Sequence, residues 1–217
     1  MNFAIQVYIG VFVLVITFIF GASRFKFFDG PTKILLLLIC IEIINEIIAF
    51  FFAKEYNNNY PVYNIYSLIE LFIISLYFNF SIDLFRKWNI GVYIGIIGII
   101  VGLINLHYLQ SIKTFNSYFL LFEAFCIIGM ALFAFFRLLL KHEQLVLLQY
   151  PHFWFITFLL LFWSVTFLLW GCYKILIDKL GSGMWMVNMG LWIVNLIMYA
   201  GIGVVFLLYP KMKKINE

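Results

Sequence analysis

ILLLLICIEIINEIIAFFFA, residues Ile34 to Ala53, is an apolar run with three polar groups set inside it. A bilayer span needs about 20 mostly apolar residues, and this run is that long. Glu42, Asn45 and Glu46 stand at i, i+3 and i+4, so a helix puts all three on one face. Hydrocarbon is the wrong solvent for that face. A charged residue at the centre of a span costs about 2.5–3.5 kcal/mol on insertion scales. Each large apolar neighbour returns roughly 0.3–0.6 kcal/mol. The helix can insert, but its acids need partners, so the face is expected to look inward at other helices.

The rest of the chain has the same character. It is 65% hydrophobic, 21% aromatic and 11% charged, with a mean hydropathy of +1.06. A soluble domain is nearer half apolar and a quarter charged. Besides the run above, six others qualify as spans: Phe3 to Ala22, Tyr63 to Ile82, Ile90 to Leu106, Phe115 to Phe136, Pro151 to Tyr173 and Met184 to Leu208. The N-terminus lacks a basic region and a small-residue cleavage signal, so the first run reads as a retained span. No composition shift marks a second domain. The reading is all-α: a polytopic membrane protein folded as one seven-transmembrane-helix bundle over residues 1–217.

Lys and Arg set the orientation. Ten of the 14 fall on one set of alternate connections: Arg24, Lys26, Lys33, Arg86, Lys87, Arg137, Lys141, Lys211, Lys213 and Lys214. Lys54, Lys113, Lys174 and Lys179 fall on the other. Short basic connections stay in the cytoplasm. The expectation is an N-terminus outside, a C-terminus in the cytoplasm, and a multi-pass protein of the cell inner membrane. A pI near 8.9 that arises from span ends carries no nucleic-acid signature.

At about 1.5 Å per residue, Glu46, Glu70 and Glu123 fall at one depth, roughly 10–12 Å below the outer surface. Glu42 lies one turn deeper. Asn188, Trp192, Asn195 and Tyr199 repeat at spacings of 4, 3 and 4, which is one face of the seventh span. Tyr66 adjoins Glu70 in the third. Intramembrane ionisable groups mark sites by default. The competing reading is interhelical hydrogen bonding, each bond being worth under about 2 kcal/mol. The candidate ligand-binding residues are therefore Glu42, Asn45, Glu46, Tyr66, Glu70, Glu123, Asn188, Trp192, Asn195 and Tyr199. The expected cavity is lined by Glu46, Glu70, Glu123, Asn45, Asn188 and Asn195.

Other features read as packing. Gly91, Gly95, Gly98 and Gly102 form a small-residue stripe for close helix approach. His152, behind Pro151, reads as an interfacial histidine. Tyr63 and Trp185 read as interface anchors. Cys40, Cys126 and Cys172 form no C-x-x-C pair. The seventh span has no lysine for a retinal Schiff base, and His107, His142 and His152 are too scattered for a zinc site. There is no G-x-S-x-G, H-E-x-x-H or Walker loop. No catalytic residue and no cofactor is implied, and the acids do not specify a metal.

Glu46 late in the second span, Asn64-Ile65-Tyr66 with Glu70 in the third, Pro151-His152-Phe153-Trp154 opening the sixth, and Asn195 with Tyr199 in the seventh carry a family likeness. In these motifs the chain resembles an uncharacterised family of small seven-transmembrane proteins common in Bacteroidota. The resemblance spans the whole chain. It implies the topology and an inner site, and brings no activity with it.

The functional expectation is an outward-facing buried acidic cavity that binds a small-molecule, lipid or cation ligand, with a sensory role. The partners are the lipid bilayer, that ligand, and a cytoplasmic protein reached through the Arg137 to Tyr150 connection. The alternatives are a cation or proton-coupled transporter and an intramembrane lipid hydrolase with paired carboxylates. A non-enzyme is favoured, because no nucleophile accompanies the acids.

Overall fold

A computed structural model describes residues 3–141, 147–172, 176 and 184–216. Tyr173, His142 and Glu143 lie outside the described residues, as does the expected turn Lys174 to Gly183 apart from Leu176. The described chain forms eight α-helices. They are α1 (Phe3–Arg24), α2 (Gly30–Tyr56), α3 (Tyr60–Ser81), α4 (Asp83–Trp88), α5 (Ile90–Ile104), α6 (Ser117–Lys141), α7 (Pro151–Gly171) and α8 (Met184–Asn216). All but the short α4 give helical segments long and apolar enough to cross a membrane. Helix is the expected solution, because an apolar solvent leaves backbone N–H and C=O groups no partner but each other.

Local signals fix the ends. Asp29 caps α2, its Oδ1 accepting from the Thr32 N–H at 2.9 Å, with Pro31 in the first turn. Asn57, at φ 51°, closes the same helix in the left-handed region. Pro61 and Pro151 sit in the first turns of α3 and α7. The fourth span ends in one π-helical turn, Asn105–Leu109. There Asn105 Nδ2 donates to Asn116 Oδ1 ahead of α6.

Helices α1, α2, α3, α6, α7 and α8 pack in that order into a closed ring, α8 returning to α1. α3 is the most buried span, and α5 lies against its outer side. The glycine stripe makes that approach close. A Cβ at Gly95 would stand 2.7 Å from the Phe72 ring, and one at Gly102 would stand 2.7 Å from Leu68. Added at Gly91 or Gly98, it would collide with Ser75 or Leu71. The ring's middle is dry. Ile39, Leu71, Ile74, Phe155, Leu159 and Phe206 are all 1% exposed or less. Polar clusters lie at both ends of this apolar middle.

Candidate functional site

The first cluster lies at the end that carries the α1 N-terminus and the α2–α3 turn. α2 presents Glu42 and Glu46 from one face. α8 presents Trp185, Asn188, Trp192, Asn195 and Tyr199. Together with Gln6, Gly10 and their neighbours on α1, and Tyr63 on α3, they enclose a cavity of about 470 Å³. That volume is in the range of small-molecule sites.

Three lining donors are already engaged. Tyr63 OH donates to Glu46 Oε1 at 3.1 Å. Trp192 Nε1–H donates to the Gln6 carbonyl at 3.1 Å, which fixes the indole. Gln6 Nε2 donates to the Met189 sulfur at 3.2 Å. Two acceptors stand differently. Glu42 is 6% exposed; its Oε2 makes no close hydrogen bond, and Tyr66, Tyr199 and Asn45 are the side chains that face its carboxyl as donors. Asn195 Oδ1 has no hydrogen-bond partner in the protein. No Lys, Arg or His lines the cavity.

Six of the ten residues singled out in the sequence lie on these walls: Glu42, Glu46, Asn188, Trp192, Asn195 and Tyr199. The other four are not on them. Asn45 and Tyr66 line an apolar groove between α2 and α3, while Glu70 (8% exposed) and Glu123 (0%) lie deeper in the ring. The acids therefore form a row instead of facing one chamber. Glu42 is its hub, interacting electrostatically with Glu46 and Glu70, and Glu70 in turn with Glu123. Neither carboxyl oxygen of Glu123 has a hydrogen-bond partner in the protein. Depth along each helix is shared, but α6 packs on α3 and α7, away from α1 and α2. That separates Glu123 from Glu46 sideways. Among the described residues no trio of His, Cys, Asp or Glu is arranged to hold a metal ion.

Tyr63 and Trp185, expected as interface anchors, are cavity walls. The period of α3 carries the signal for the first: Tyr63, Tyr66, Glu70 and Tyr77 recur at helical spacing on one side.

The second cluster occupies the opposite end. His152 is 6% exposed and bonded through both ring nitrogens, so it is a buried helix-joining residue and not simply an interfacial one. Its Nε2 lies 2.8 Å from Asp29 Oδ2, and its Nδ1 lies 3.2 Å from Tyr77 OH. An ionised Asp29 only accepts, so Nε2 carries the proton, and in the neutral ring Tyr77 OH donates to Nδ1. The Asp29 N–H donates to Tyr209 OH at 3.4 Å. The α1–α2 turn, α3, α7 and α8 are thus joined at one point. Burial alone would raise the Asp29 carboxyl. The hydrogen bond and ionic attraction of His152, with help from Thr32, instead hold it well below the usual carboxylate range. Burial, and then the Asp29 charge, pushes the Tyr150 phenol up.

Buried carboxyls without a neighbouring cation can hold a proton or bind a cationic group. Both capacities belong to the first cluster; the second has its internal partners. No family model, curated protein or solved structure matches the chain, so what the site does must follow from its own chemistry.

Proposed function

We propose that this chain is a multi-pass inner-membrane protein, N-terminus outside and C-terminus in the cytoplasm, whose acidic cavity binds a small ligand and reports it across the membrane. The observation that carries the binding reading is the cavity itself: about 470 Å³, walled by two acids and four aromatic rings, with the buried Glu42 among its lining residues and no cationic side chain beside it. The bias of ten Lys and Arg to the opposite end supports an outward-facing cavity. The sensory part rests on α8. That helix supplies most of the polar wall, and about 15 Å further along it Tyr209 accepts from the Asp29 N–H beside His152. A ligand that shifts α8 thereby acts on the cytoplasmic end through the helix itself.

The test is a small-molecule screen on the protein in nanodiscs, read by calorimetry and repeated on Glu46→Gln and Glu42→Gln. The proposal expects a saturable ligand whose affinity falls at least tenfold in each variant. A ligand that binds all three proteins equally argues against this cavity. Orientation is read separately, from single cysteines at Asn58 and Arg86 in a variant lacking Cys40, Cys126 and Cys172. Only the first is expected to react with an impermeant maleimide applied to whole cells.

Glu70 and Glu123, set behind the cavity, favour one second reading: transport of a cation or proton that steps inward along the acids. Flux into proteoliposomes that stops in Glu123→Gln would select it over sensing.

A further inference from the structure

The cavity's chemistry narrows the ligand to one class. Hydrogen-bond capacity is the first constraint. The Tyr63, Trp192 and Gln6 donors are committed to Glu46, the Gln6 carbonyl and Met189. Glu42 Oε2 and Asn195 Oδ1 are acceptors that make no close hydrogen bond, Glu42 lying beside Tyr66, Tyr199 and Asn45. A buried acceptor left alone is unfavourable, because it has given up water and gained nothing in exchange. A ligand that supplies N–H donors removes that cost; Trp185, Asn188 and Asn195 also bring donors to the walls, so it is the charge of the acids that disfavours an anion.

Charge is the second constraint. Glu42 and Glu46 are a turn apart on one helix face and interact electrostatically, with no Lys, Arg or His on the walls to balance them. A cation between them is attracted by both. The wall material is the third. Tyr63, Trp185, Trp192 and Tyr199 line the same cavity as the acids. Aromatic rings attract an organic ammonium as well as packing its apolar body. A bare metal ion needs several oxygen ligands in close order, and among the described residues no three His, Cys, Asp or Glu side chains are grouped to supply them.

The fourth observation gives the ligand a direction. Glu46, Val7 and Val11 also border a second, apolar groove of about 510 Å³ between α1 and α2, lined further by Tyr8, Phe12, Val15, Ile47, Phe50 and Phe51. Glu46 therefore stands where a polar chamber meets an apolar slot.

We infer that the cavity binds a protonated organic amine, its N–H groups on Glu42, Glu46 and Asn195 and its apolar body against Trp192 and Tyr199 or out along the α1–α2 groove. This assignment rests on the ligand-binding reading above and names its chemical class. Primary, secondary and tertiary ammonium groups suit the site better than quaternary ones, because only they carry an N–H to donate to the Glu42 carboxyl.

The experiment uses three probes of one shape: phenethylammonium, 2-phenylethanol and 3-phenylpropionate. Each is titrated by calorimetry into the full chain in nanodiscs at pH 7. Phenethylammonium is expected to bind saturably, with the alcohol and the carboxylate at least tenfold weaker. Glu42→Gln and Glu46→Gln should each weaken the amine at least tenfold, and Asn195→Asp should strengthen it. Glu123→Gln, remote from the walls, should leave it within twofold. If the alcohol or the carboxylate binds as tightly as the amine, the ammonium assignment is overturned and the ligand-binding reading stands. If the amine binds equally well to Glu42→Gln and Glu46→Gln, the placement on these acids is overturned. If none of the three probes binds, nor any member of the wider screen, both readings fall.

Discussion

The two polar clusters of this bundle are built from similar residues and finished in opposite ways. At one end Asp29, His152 and Tyr77 close on one another, each polar side chain bonded within the protein. At the other, Glu123 and Asn195 hold acceptor atoms with no hydrogen-bond partner in the protein, and Glu42 keeps one such oxygen beside Tyr66, Tyr199 and Asn45. The first arrangement needs nothing else to be stable. The second leaves acceptors open to a ligand or a proton.

That contrast breaks most readily at the satisfied end. His152→Ala removes one ring and leaves the buried Tyr77 hydroxyl unpaired. Unfolding of the protein in detergent should show a loss of about 2 kcal/mol. No loss would make the Asp29 end as loosely paired as the other. The acid row should respond with the opposite sign. Glu123→Leu replaces a carboxyl that has no hydrogen-bond partner in the protein with a side chain of similar size, and is expected to raise stability by about 1 kcal/mol. A drop of that size would reveal Glu123 as interhelical glue.

The smallest effect sharpens the comparison through pH. Asp29 is partly exposed, so Asp29→Asn should lower stability at pH 7 by only about 0.5 kcal/mol. Its carboxyl titrates lower in the folded protein than in the unfolded chain, where it titrates near 4. The stabilisation is therefore complete above about pH 4 and disappears as pH falls below it. Unfolding of wild type and variant should converge on acidification. A gap that widens in acid would mean that the pair does not hold Asp29 ionised.

Much of this was readable in the residues. The apolar runs give the helices because length and solvent leave no other choice. The Gly91–Gly102 stripe gives a close helix contact, found against α3. The face Asn188–Trp192–Asn195–Tyr199 follows from spacing alone, and it is a cavity wall. Helix order was not readable. Glu46, Glu70 and Glu123 share a depth, yet the ring sets α6 apart from α1 and α2, which turns an expected chamber into a row.

The Asp29–His152–Tyr77 cluster is not visible in the local pattern, because its members lie far apart in sequence and none stands out beside its own neighbours. The signal that finds it is the depth matching used for the acids. All three fall at the same end of their spans, and a buried tyrosine hydroxyl there needs a partner.

The most direct measurement takes the double variant Glu42→Gln/Glu46→Gln and reads unfolding and phenethylammonium binding on the same nanodisc preparation. Stability held or raised, with binding lost, is the result predicted for acids whose partner comes from outside. Stability lowered by several kcal/mol, with binding untouched, would show that these carboxyls hold the helices together and nothing more.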